Sequence, residues 1–224
     1  MTESEWATAT DPFPMLTFLE ARGPVSRRKL RLFALAACRR WWHLLTDPRS
    51  RAAVEVAEHH IDGLADEATW DRAGLEARRA VTDAEGPGEM LPGMRWKAAW
   101  AAWIACAPPG RPSPADHRTF VSVTASAPGS GLDPAEEPVA HAAALRDLFG
   151  NPFKPVAFDP GWRTEAVVAL ARGIYEERAF ERMPVLGDAL EDAGCGDKEV
   201  LEHCRGQNVH VRGCWVVDAV LGKP

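Results

Sequence analysis

Twenty-one residues, Ser26 to Thr46 (SRRKLRLFALAACRRWWHLLT), run without proline or glycine, and they limit the folds open to this chain more than any other stretch. Ser26 is a good N-cap because its hydroxyl can accept from a first-turn backbone N–H that would otherwise lack a partner. A helix is therefore expected over 26–46. At 100° per residue Leu30, Phe33, Ala34, Ala37, Trp41 and Leu44 make one apolar stripe. Leu32, Leu35 and Trp42 share the opposite face with Arg28, Arg31 and Arg39, so neighbours are expected on both faces, with arginine stems packed and their heads paired.

The charge of this helix is at odds with the rest of the chain. Between Ser26 and Arg51 there are eight Lys or Arg and one acid, Asp47, in a protein whose net charge is −6. Asp159 to Glu202 carries eleven acids against five bases, which suggests that those helices neutralise the basic one. The acidic balance argues against a general polyanion binder. The 224 residues, 46% hydrophobic and 26% charged, suit a globular chain of one large or two small domains. A single domain over 1–224 is expected, with a lobe boundary, if there is one, in the loop region 108–134.

Punctuation sets the remaining elements. Asp11-Pro12 and Asp47-Pro48 read as cap plus first helical residue. Helices are expected from Asp11 to Glu20, Arg49 to Leu64, Glu67 to Thr82, Arg95 to Ala107, Ala135 to Phe149, Glu165 to Phe180, Pro184 to Ala193, and Val211 to Leu221, with short ones over 114–124 and after Asp197. Gly86 to Gly93, Pro108 to Pro114 and Ser126 to Pro134 are loop chemistry. No run alternates at period two, so the fold class is all-α, helices packing around the central one. Trp96, Trp100 and Trp103 form a stripe that core packing explains more simply than a stacking platform. The amino terminus lacks a signal-peptide pattern and no eighteen apolar residues occur in a row, so a cytoplasmic protein without a membrane span is expected.

Cys195, His203, Cys204, His210 and Cys214 fall within twenty residues. Thiolate and imidazole are zinc's preferred donors, and Cys195, Cys204, His210 and Cys214 make a candidate four-ligand zinc site, with His210 and Cys214 on one face if a helix begins at His210. The spacings match no finger or knuckle, and buried core cysteine is the competing reading. Cys38, beside Arg39 and Arg40, raises the question of an activated thiol, against which its mid-helix position weighs. No phosphate loop, dinucleotide-binding glycine pattern or serine elbow occurs. Nucleotide hydrolysis, dinucleotide binding and serine hydrolysis are therefore unsupported, and protein binding is favoured over catalysis. Candidate binding residues are Arg28, Arg31, Arg39 and Trp42, whose charges and indole could hold nucleic acid, together with Arg212 and Trp215 near the C-terminus.

Three stretches, RKLRLFALAACRRWWHLLTDPRSRAAVEVAE (28–58), LRDLFGNPFKPV (145–156), and GIYEERAFERMPVLGDALEDAGC (173–195) with HCRGQNVHVRGCWVVDAVLGK (203–223), together resemble a large paralogous family of planctomycete (Gemmata-type) proteins. The resemblance covers both ends of the chain and implies no activity, cofactor or catalytic residue. Family members carry two adjacent cysteines before the arginine pair, where this chain has Ala37-Cys38. Expansion into many paralogues suits a non-catalytic protein-binding or regulatory module, by analogy, with a zinc-stabilised domain and a nucleic-acid binder as the alternatives.

Overall fold

The helix expected at 26–46 forms over Arg27–Arg40 with the Ser26 hydroxyl accepting from the Lys29 N–H. It stops six residues early, giving way to a 3-10 turn over Trp42–Leu44. Two neighbours explain the stop. Trp41 is fully buried and its indole N–H donates to Glu137 at 3.1 Å, while Asp47 and Pro48 open the next helix, and the residue before a proline is pushed out of the helical region.

The computed structural model describes residues 1–84, 94–106 and 136–224, the side chains of Ala84, Met94, Arg95 and Trp96 excepted. The loop chemistry read at 86–93, 108–114 and 126–134, the helix expected over 114–124, the lobe boundary at 108–134 and the Trp96 side chain fall outside them. Among the described residues there are eleven α-helices and no strands: α1 Glu3–Thr8, α2 Pro12–Ala21, α3 Arg27–Arg40, α4 Pro48–Ile61, α5 Glu67–Ala84, α6 Met94–Cys106, α7 Glu136–Phe149, α8 Glu165–Glu177, α9 Met183–Asp192, α10 Lys198–Arg205 and α11 Trp215–Leu221. The fold is all-α. Among the described residues, no helix is long and apolar enough to cross a membrane.

The chain divides into two compact units, one of Thr10–His141 and one of Met1–Ala9 with Ala142–Pro224, the boundary falling inside α7. In the 10–141 unit, α3 is buried on both sides: Leu32, Phe33, Ala34, Leu35, Ala37 and Cys38 all lie in the interior, among Val54 and Ala57 of α4, Trp70 of α5 and Ala98 and Ala102 of α6. The arginine heads find partners there. Arg39 grips Glu58 through two bonds of 3.1 and 2.5 Å, Arg40 reaches Glu137 at 2.8 Å, and Arg49 bridges Asp47 and Asp83. For these three arginines the neutralising acids thus lie in their own unit, not in 159–202. Trp100 and Trp103 pack half-buried against this core, and Cys38 and Cys106 are buried in it, burial pushing the Cys38 thiol well up, out of the range of an activated nucleophile.

His141 is 1% exposed and, among the described residues, neither ring nitrogen has a hydrogen-bond partner. Phe33 meets it edge-on at 5.8 Å and Glu137 Oε2 lies 3.8 Å from Nε2. Burial lowers its pKa to about 4, Glu137 opposing and Arg40 assisting. The depressed folded value means that stability is fully present above the unfolded value near 6.5 and is lost as pH falls towards 4, by about 3 kcal/mol at the limit. His141→Leu should remove that slope. Urea midpoints of both proteins at neutral and at mildly acidic pH check this, and a difference between them that stays constant with pH contradicts it.

The unit of 1–9 and 142–224 holds a second core, with Val167, Ile174, Met183, Leu186, Leu190, Val200, Val216 and Val220 buried together. Its first element, α1, lies ahead of Asp11, where the first helix is expected from the sequence. Thr2 and Glu5 close a capping box there, and Arg146 of α7 donates to the carbonyls of Trp6 at 3.2 Å and Ala9 at 2.9 Å, satisfying groups left open at the helix end. The Trp6 indole donates to the Gly150 carbonyl at 3.0 Å. Gly150 has a φ of +64°, and a Cβ there would sit 3.3 Å from the Trp215 ring, so both conformation and space call for glycine.

Candidate metal centre

The last expected helix, Val211 to Leu221, is shorter than expected, and the difference builds the site. Gly213 takes a φ of +93°, which breaks the helical path. Val211 to Cys214 form a turn closed by the Cys214 N–H to the Val211 carbonyl at 3.0 Å, and α11 begins only at Trp215. His210 and Cys214 still come near each other, 3.8 Å from Nδ1 to Sγ, but across a turn instead of along a helix face.

Four donor atoms meet at this turn. Asp147 from α7, His203 from α10, His210 from the loop and Cys214 at the start of α11 bring one O, N or S atom each within 4.8 Å of every other. Asp147 Oδ1 is 2.7 Å from His210 Nδ1 and 3.1 Å from His203 Nε2, and His203 Nε2 is 3.2 Å from Cys214 Sγ. Around zinc, bond lengths of 2.0 to 2.3 Å put tetrahedral donors about 3.3–3.6 Å apart. The separations of 2.7, 3.1, 3.2 and 3.8 Å fall on both sides of that range and no two donors are more than 4.8 Å apart, so side-chain shifts of up to about an ångström would complete the tetrahedron. The remaining Asp147 oxygen, Oδ2, accepts from the Val211 N–H at 2.8 Å, which fixes the carboxylate and leaves Oδ1 turned to the other donors, the arrangement expected of an outer-shell bond.

The electrostatics are those of a site with charge to neutralise. The side chains of Asp147 and His210 are 1% and 5% exposed, and Cys214 is fully buried. Burial by itself would raise the Asp147 carboxyl; the hydrogen bonds and charges of His203 and His210 outweigh it and hold the group below the ordinary carboxylate range. The Cys214 thiol is pushed well up, by burial first and then by the Asp147 charge. Without a cation the thiol keeps its proton; a bound cation displaces it. His210 Nε2 is buried without a hydrogen-bond partner among the described residues.

Two of the four expected zinc ligands, His210 and Cys214, are in this group, and Cys195 and Cys204 are not. They belong to the apolar core. Cys204 follows His203 on α10, and the 100° turn between consecutive helical residues sends its side chain inward as His203 points to the cluster. It packs so tightly on α9 that a Cβ on Gly187 would stand 3.0 Å from its own Cβ. Burial pushes the Cys204 thiol up to about 12. Their places are taken by His203, which the sequence supplies in the same cluster, and by Asp147, which no spacing announces because it lies 56 residues before His203.

The candidate binding residues are engaged within their units. Arg39 lies over the Trp42 ring at 4.0 Å and Arg31 over Trp70 at 4.4 Å, and Arg31 also donates to the Ala105 carbonyl at 3.2 Å. Arg39 and Trp42 thus spend on each other the charge and the π-face that a nucleotide would need. Arg28 is half-buried. Arg212 lies over the Tyr175 ring at 4.5 Å, and Trp215 packs beside His203 at 5.2 Å. The chain matches no protein-family model, no curated protein and no solved structure.

Proposed function

We propose that this is a zinc-binding helical protein, with Asp147, His203, His210 and Cys214 as ligands and the metal fastening α7 to the C-terminal segment. The observation that carries the reading is the convergence of four donors of mixed type, all within 4.8 Å and mostly buried. Two imidazoles, a carboxylate and a thiolate in a four-donor setting favour zinc over magnesium or calcium, which want oxygen alone. The role is non-catalytic: a clamp that holds residues 203–214 on α7 and stabilises the module around them. A protein-binding role for that module is compatible with the clamp.

Native mass spectrometry of protein purified without chelator should show a mass excess of one zinc. Stripping it should lower the thermal midpoint, since ligand at about 100 times its dissociation constant adds about 2.7 kcal/mol, equivalent to roughly 10–20 °C for a unit of this size. A bare mass from cells grown with added zinc, with a midpoint indifferent to chelator, would sink the reading.

A further inference from the structure

A cavity of about 460 Å³ adjoins the cluster, and Asp147 and His203 stand in its wall while His210 and Cys214 lie behind it. A metal held by these four donors would be screened by protein on one side and face the cavity on the other, across the Asp147–His203 edge. We propose that the centre has an exchangeable coordination position on this side, and that the cavity takes a small molecule pairing an anionic metal-binding head with a cationic tail. The inference rests on the metal reading above.

The head follows from the metal. Zinc can expand from four to five ligands, as it does in catalytic sites, and with Asp147 and a Cys214 thiolate its two positive charges are balanced, so a thiolate or carboxylate head is held by coordination, not by a strong field. The volume lies in the range of small-molecule sites, and Trp6 and Trp215 give it aromatic walls.

The tail follows from the charges lining the cavity. Glu199 and Glu202 are on α10, Glu199 one turn before His203 and so on the same face, and both line the cavity. Neither makes a side-chain ion pair among the described residues. Glu3, also in the lining, is held by Lys154 at 2.7 Å, and Lys154 is drawn to Glu199 as well. Arg146 is the cation in the wall, and its Nη1 is committed to the Trp6 and Ala9 carbonyls. Two carboxylates therefore outnumber it, and a cation beside them is favoured while an anion is repelled.

The test loads the full-length protein with Co²⁺ and follows its visible bands during anaerobic titration with thiocholine and with mercaptopropionate, which share a thiolate head and carry opposite tails. With affinities corrected for the thiolate fraction, both should alter the spectrum and thiocholine should bind on the order of tenfold more tightly. The Glu199→Gln/Glu202→Gln variant retains all four donors and should bring the ratio close to one. A spectrum that neither thiol changes, cobalt lost to the filtrate, or a wild-type ratio near one overturns the inference. Absence of a cobalt–thiolate band before any thiol is added overturns the metal reading itself, and the two failures are thereby told apart.

Discussion

Glu137→Ala is expected to destabilise the protein by about 3 kcal/mol, the lower end of the range for breaking a buried ion pair from one side. Glu137 is fully buried and accepts from Arg40 at 2.8 Å and from the Trp41 indole at 3.1 Å. Removing it leaves a cation and an indole N–H without their acceptor in the interior. The Trp41 side chain has no exposure through which water could replace the bond, whereas the Arg40 side chain is 32% exposed and can rehydrate in part, which is why the upper end of the range is not expected. Glu137→Gln keeps an acceptor for Trp41 and loses the charge, so its cost should be smaller, about 1–2 kcal/mol. Urea unfolding followed by helical circular dichroism measures both. A loss under 1 kcal/mol for the alanine variant would mean that the pair contributes little beyond its desolvation cost.

Glu137 also marks the limit of what the sequence conveys. Helix caps were legible because they are local: Ser26, Asp11, Asp47 and Asp197 all accept from a backbone N–H two or three residues on. The burial of α3 on both faces was legible from its pattern. α1 is carried by a local Thr2-x-x-Glu5 signature, too short a pattern to stand out ahead of Asp11-Pro12. Partner choice was a different matter. Summing charge over 159–202 pointed to the wrong acids for Arg39 and Arg40, since Glu58 is nineteen residues from Arg39 across a helical hairpin and Glu137 is ninety-seven from Arg40. A charge sum contains no distance.

The metal centre fails to show in the sequence for two further reasons. Cysteine serves equally as a small apolar residue and as a ligand, so spacing could not separate Cys204 from Cys214. One glycine, Gly213, with a φ of +93°, breaks the helical register that would have put His210 and Cys214 on one face. Asp147 lies inside an amphipathic helix where a carboxylate ordinarily faces water, and only tertiary packing turns it into a buried acceptor for two histidines.

Those two cysteines give the sharpest second expectation. Cys214→Ser should lower zinc affinity by at least on the order of 100-fold, because it removes the thiolate that supplies both the softest donor and half of the charge balance. Cys204→Ser should bind one zinc as the wild type does, while losing about 1–3 kcal/mol of stability for a hydroxyl placed in an apolar core. Affinity by competition against a chromophoric chelator, and the thermal midpoint of the zinc-free protein, are thus expected to move in opposite proportion in the two variants. The zinc-free midpoint matters because a general unfolding of the C-terminal segment would also release metal. If Cys204→Ser lost zinc with its zinc-free stability intact, the donor set would have to pass through the core cysteines, and the convergence at Asp147 would be no more than a hydrogen-bonded buried carboxylate. If Cys214→Ser alone loses it, α7 and the C-terminal turn are joined through the metal, and Asp147→Asn, which keeps the carbonyl acceptor and removes the charge, should weaken binding by a smaller factor than the loss of the thiolate.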